Sequence, residues 1–163
     1  MNRQLDEILR DVAEETFESL AFLLPMPPPD EPIENCPTTV VAVGFHGPFN
    51  GKLIVTLPEA VLGELTGNML GLDDDAEIPV ETQQDALKEL ANVVCGNVLP
   101  EIAGATVVFN VAAPELIDAS TPVSQDGLST AATSEIFLDS GPASLELLIE
   151  GTIGTEVPVV AGR

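Results

Sequence analysis

Basic residues are scarce in this chain. Arg3, Arg10, Lys52, Lys88 and Arg163 stand against 27 acidic residues, for a formal charge of -22. Nucleic acid and anionic membrane both require basic patches, so neither is an expected partner. Most of this acidity reads as solvated surface, and part of it can steer a basic face of another protein. Cysteine is nearly absent: Cys36 and Cys95 lie far apart, in no metal-binding or redox spacing. Cys95 falls in an apolar run and reads as a small core residue. The single histidine, His46, has no partners around which a Ser-His-Asp or Cys-His arrangement can be built. No apolar stretch approaches the length of a membrane span, and the acidic start MNRQLDEILRDVAEE lacks a signal-peptide core. The expected location is the cytoplasm.

What is present suits an α+β domain with a sizeable core, since 45% of the 163 residues are apolar. Leu5, Ile8, Leu9, Val12, Ala13, Thr16, Phe17 and Leu20 recur at spacings of three and four, which predicts a helix over Leu5–Leu24, stopped by Pro25. A proline-rich connector follows as far as Pro37. Thr38–Phe45 and Gly51–Leu57 read as a strand pair around His46-Gly47-Pro48-Phe49-Asn50. Pro58 opens a second helix reaching Leu70. The acidic loop Gly71–Pro79 contains Asp73, Asp74 and Asp75, without the spaced ligands of a calcium loop. A long central helix begins near Val80 or Glu81 and ends at Pro100 or a few residues later. Thr106–Ala112 reads as a strand closed by Pro114, and Asp118–Thr133 as a loop or weak edge strand. Ser134–Leu138 and Ala143–Glu150 form a second hairpin around Asp139-Ser140-Gly141-Pro142. The expected boundaries are one domain over residues 1–151 and a tail over 152–163.

The chain repeats itself. DVAEETFESLAFLLP, from Asp11 to Pro25, parallels DALKELANVVCGNVLP, from Asp85 to Pro100. Gly47-Pro48 before Lys52-Leu53-Ile54-Val55 parallels Gly141-Pro142 before Glu146-Leu147-Leu148-Ile149. Pseudo-repeats of about 11–70 and 85–151 are therefore expected to share one mostly antiparallel sheet, with both long helices on one face. Glu18 in the first copy aligns with Asn92 in the second. Three carboxylates offer no hydrogen-bond donor at neutral pH, so if this motif is a site, the second copy alone is competent.

In that second copy Asp85, Glu89 and Asn92 follow each other at i,i+4 and i,i+3 and share one helix face, while Leu87, Leu90, Ala91, Val94 and Val98 occupy the other. Glu89 alone would be an ordinary solvated helix carboxylate. Asn92 and Gly96 are less ordinary, because they disfavour a helix interior by roughly 0.5 and 1 kcal/mol relative to alanine. A carboxylate beside an amide can hold a partner's cation and position a water. With no adjacent metal ligands, arginine or nucleophile, the pair cannot carry out phosphate chemistry alone.

Asp85-x3-Glu89-x2-Asn92, followed by Gly96-Asn97 and later by Pro114, resembles the signature of the CheC/CheX/FliY family of chemotaxis phosphatases, nearest to its CheX-like members. Pro114 follows Asn92 slightly sooner than the family spacing. The resemblance extends to an N-terminal helix with Phe17 and Phe22 and a hairpin carrying Gly47-x3-Gly51, and it spans roughly Asp11–Gly151. It implies an internally duplicated CheC-like α+β fold and a protein-aspartylphosphate phosphatase. The partner it implies is a phosphorylated CheY-type receiver domain, which brings its own Mg²⁺ and lysine. No cofactor or metal is expected on this chain. Glu89 and Asn92 become the catalytic residues, with Asp85, Lys88 and Gly96 at the partner contact and Asp85 orienting Lys88 or the helix face. The resemblance also implies a homodimer built through sheet strands, with the second hairpin as an edge. The alternative is a non-catalytic receiver-binding or scaffold module of the same fold.

Overall fold

The computed structural model describes residues 2–30, 37–72, 77–104, 106, 108–117 and 128–150. Asp73, Asp74, Asp75, Cys36, residues 118–127 and the tail over 152–163 lie outside them. The elements in order are α1 (Asn2–Ala21), β1 (Thr38–His46), β2 (Gly51–Pro58), α2 (Glu59–Leu70), α3 (Val80–Ala103), β3 (Asn110–Val111), β4 (Glu115–Ile117), β5 (Leu128–Leu138) and β6 (Gly141–Glu150).

One antiparallel sheet runs in the order β3-β1-β2-β6-β5, with β4 also paired to β1. The two long hairpins meet at its centre, where Leu53 of β2 lies opposite Leu147 of β6. Those two leucines are equivalent in the alignment of Gly47 with Gly141, so both halves contribute to one sheet about this pair. Alternation at period two sends Val41, Val43, Phe45, Leu53, Val55, Leu57, Leu145, Leu147 and Ile149 into one core with buried residues of all three helices. The other face carries a smaller apolar group of Ala42, Ile54 and Leu148, edged by Val40, Ile117 and Leu128. The helices therefore lie on one face, as expected.

Gly51 marks the tightest point of the sheet. A Cβ there would come within 2.1 Å of the Leu148 carbonyl oxygen and 2.7 Å of the Phe45 ring, so only glycine fits. Around this end Phe45, Phe49 and Phe109 meet edge to face at centroid distances of 5.0–6.0 Å.

Helix ends follow tertiary packing more than the prolines. α1 stops at Ala21 rather than Leu24. Phe22 turns left-handed at φ 56, which brings Leu23 into the core and allows the Leu23 N–H to donate to the Phe17 carbonyl at 3.1 Å. Pro100 does not stop α3. Leu99 and Ile102 are buried on either side of it and hold the helix until the Gly104 N–H caps the Pro100 carbonyl at 2.8 Å. The strand expected over Thr106–Ala112 shrinks to Asn110–Val111, because Phe109 packs into the aromatic trio. β4 was not foreseen. β5 begins at Leu128, inside the segment read as a loop or weak edge strand, and carries a bulge between Thr130 and Ala132. Its outer edge is partly occupied: the Thr133 N–H donates to Asp6 Oδ1 at 2.9 Å, and the Met26 N–H donates to the Phe137 carbonyl at 2.6 Å.

Candidate functional site

Helix α3 separates its two faces cleanly. Leu87, Leu90, Ala91, Val94, Cys95 and Val98 are buried, while Asp85, Glu89, Asn92, Gly96 and Asn97 are exposed. From Asp85 to Gly96 the exposed row is about 16 Å long at the helical rise per residue. Lys88 is half-buried at its flank. Asp85, Lys88 and Glu89 form no ion pair among the described residues, and the Asn92 amide has no hydrogen-bond partner there. Asp85 therefore does not hold Lys88 through an ion pair here. Among the described residues a Cβ on Gly96 would meet nothing within 4 Å, so packing there gives no reason for glycine at that position.

The equivalent row on α1 is exposed as well: Asp11, Glu15 and Glu18 all face solvent, and Asp11 Oδ1 lies 3.8 Å from Arg10 Nε. Two contacts fix how α1 sits beside α3. The Asn68 side-chain amide donates to the Ala21 carbonyl at 2.7 Å, fastening the end of α1 to the end of α2. A Cβ on Gly67 would lie 3.8 Å from Ile78, just ahead of α3. The end of α1 thus points toward the start of α3. Further back, Val12, Glu15 and Ser19 share a cleft of about 370 Å³ with Asn97, Pro100 and Glu101. The two helices run side by side in opposite directions, so Glu15 reaches the far half of α3 rather than Glu89.

Other candidates lose their chemistry in the fold. Burial pushes the Cys95 thiol up to about 12, which keeps it protonated at neutral pH and inert as a nucleophile. His46 ends β1, exposed, in register with Asn110. Among the described residues no group of three or more His, Cys, Asp or Glu side chains could hold a metal ion, and no helix is long and apolar enough to cross a membrane. The N-terminal helix of the resemblance carries Phe17 and Phe22, and the fold treats the two rings differently. Phe17 is fully buried, but Phe22 is 76% exposed. Phe22 also keeps the spacing of the repeat: Asp11, Glu15, Glu18 and Phe22 follow the same 4-3-4 steps as Asp85, Glu89, Asn92 and Gly96.

Comparison with known proteins supplies the context. A family model described as chemotaxis phosphatase CheX matches residues 39–133. No match was found among curated protein sequences. Among solved structures, a CheX from Desulfovibrio desulfuricans is similar with a TM-score of 0.68 and 19% identity, over 90% of this chain and 99% of that one. A CheX from Vibrio vulnificus gives a TM-score of 0.68 and 20% identity over 92% and 99%. A chain of the CheX-CheY-BeF3-Mg²⁺ complex from Borrelia burgdorferi gives 0.63 and 16% over 89% and 97%. At these identities the structural likeness is one of fold.

Proposed function

The chain belongs to the chemotaxis phosphatase CheX family, and from that premise we propose that it accelerates dephosphorylation of a phosphoaspartyl, CheY-type response regulator. The observation that carries this reading is the exposed row on α3, in which a carboxylate, an amide and an unforced glycine stand opposite a fully buried stripe. The Borrelia burgdorferi complex, in which a CheX is bound to CheY with BeF3 and Mg²⁺, supports a receiver as the partner.

In this reading the receiver supplies the phosphoaspartate together with its own Mg²⁺ and lysine, and α3 docks against it. Asn92 accepts a hydrogen bond from the attacking water and donates one to a phosphoryl oxygen, roles that a single amide can combine. Water adds in line to phosphorus, the bond from phosphorus to the aspartyl oxygen breaks, and the products are inorganic phosphate and a free carboxylate. Positioning and charge do the catalysis, as in other phosphoryl transfers. Glu89 pairs with the receiver's lysine and sets the register of docking. Gly96 lets the partner come close to the helix backbone, with Asp85 and Lys88 flanking the contact.

Purified protein added in substoichiometric amount to a phosphorylated CheY-type receiver with Mg²⁺ should speed phosphate release over many turnovers. Stable binding without faster release would assign the chain to the non-catalytic module instead. A homodimer belongs to the same proposal. Asp6 and Met26 already take two groups on the outer edge of β5, so a sheet-extending dimer would have to use the rest of that strand. Equilibrium sedimentation over a range of concentrations measures it.

A further inference from the structure

One aromatic ring stands where backbone and solvent both disfavour it. Phe22 follows the end of α1 at φ 56, in the left-handed region where glycine or asparagine is the usual choice, and its side chain is 76% exposed. Gly71 ends α2 in the same conformation, at φ 69, with the residue type that conformation favours. Packing does not account for phenylalanine here, since Leu23 is the side chain that enters the core and Phe22 makes no ring contact among the described residues.

Its position is informative. The cleft between α1 and α3 is centred near Glu15–Thr16 on one helix and Pro100 on the other. Because the helices run in opposite directions, two turns toward the end of α1 correspond to two turns back along α3. Phe22, just past the end of α1, therefore lies toward the first half of α3, the half that carries Asp85 and Glu89 and borders Asn92. Leu24 and Met26, also exposed, continue the apolar surface, and Glu18 precedes it on the same face of α1.

We infer that Phe22 is an apolar anchor for the receiver, docking beside the Glu89/Asn92 row; the inference rests on the proposed function. The fitting partner surface has an apolar hollow bordered by lysine or arginine, because Glu15 and Glu18 on one helix and Asp85 and Glu89 on the other flank the anchor with negative charge. That charge, on a chain of net -22, argues against an anionic membrane as the occupant of the same patch. Exposed aromatic side chains at the centre of a charged rim are the residues whose truncation most often costs affinity.

The test compares wild type, Phe22→Gly, Asn92→Ala and Val108→Ala for binding to a CheY-type receiver from the source organism, charged with beryllofluoride and Mg²⁺. Rates on the phosphorylated receiver and thermal midpoints are measured on the same samples. Glycine relieves the left-handed backbone, so Phe22→Gly should keep or raise the midpoint while weakening binding by about tenfold or more. Its rate at saturating receiver should stay near wild type. Val108→Ala, removing a side chain that is 78% exposed, should change nothing. Unchanged binding by Phe22→Gly, with Asn92→Ala still slow, would overturn the anchor and leave the phosphatase reading in place. A drop in midpoint matching the loss of binding would also overturn it, assigning Phe22 to packing. A wild-type chain that neither binds nor accelerates would remove both proposals together.

Discussion

Helices α1 and α3 carry the same exposed spacing and diverge at two positions. Asp11, Glu15, Glu18 and Phe22 correspond to Asp85, Glu89, Asn92 and Gly96, and all eight are exposed. The first divergence concerns donors. A row of three carboxylates can only accept hydrogen bonds and repels an approaching phosphoryl group, whereas Asn92 adds N–H donors without adding charge. The second concerns the backbone. α3 runs through its glycine as a continuous helix, although glycine weakens a helix interior. α1 breaks at its phenylalanine into the conformation that glycine would favour. Each helix thus carries the residue that local propensity would assign to the other. When propensity is violated at exposed positions and no contact among the described residues accounts for it, the compensation is expected from a partner.

Asn92→Ala gives the hardest break in this comparison. It should slow receiver dephosphorylation on the order of a hundredfold, as loss of a positioned donor does in other enzymes. The thermal midpoint should be unchanged or slightly raised, because alanine favours a helix and the exposed amide has no hydrogen-bond partner among the described residues. Glu89→Ala should weaken binding and turnover together by about tenfold, and added salt should narrow its difference from wild type as exposed charges are screened. Steady-state kinetics at low and moderate salt reads both. Gly96→Ala should stabilise the fold by about 0.5–1 kcal/mol, since the new methyl enters open space within the chain, yet bind the receiver a few times more weakly. Calorimetry and a binding titration on one preparation would show the two effects moving in opposite directions. Glu18→Ala should alter turnover by less than about twofold, as most substitutions away from the contact centre do. If it matched Glu89→Ala, the first helix would have to share the catalytic role.

Much of this arrangement is legible in the sequence, for identifiable reasons. The long helices and the two hairpins announce themselves through periods of 3.6 and two, because each buries one face. The row from Asp85 to Gly96 follows from helical spacing alone, and its exposure follows from the buried stripe behind it. What sequence does not carry is pairing at long range. β4 exists because Glu115, Leu116 and Ile117 find Ala42, Val41 and Val40 on the far side of β1. β5 extends back to Leu128 because β6 offers it partners, despite a run of Ser, Thr and Ala. α1 ends early because Leu23 has a place in the core, and that choice exposes Phe22. The placement of Phe22 toward the first half of α3 depends on how α1 and α3 pack, which no local pattern records.

The central claim is that the amide, and not the mere row of polar groups, separates the competent helix from its duplicate. Asn92→Asp tests this most directly, because it keeps the size of the side chain while giving α3 the three-carboxylate chemistry of α1. The measurement is single-turnover phosphate release from a phosphorylated CheY-type receiver, with wild type and variant at saturating concentration. The account expects wild type to speed release and Asn92→Asp to return it to the rate of the receiver alone. Wild-type acceleration that survives in Asn92→Asp would contradict it.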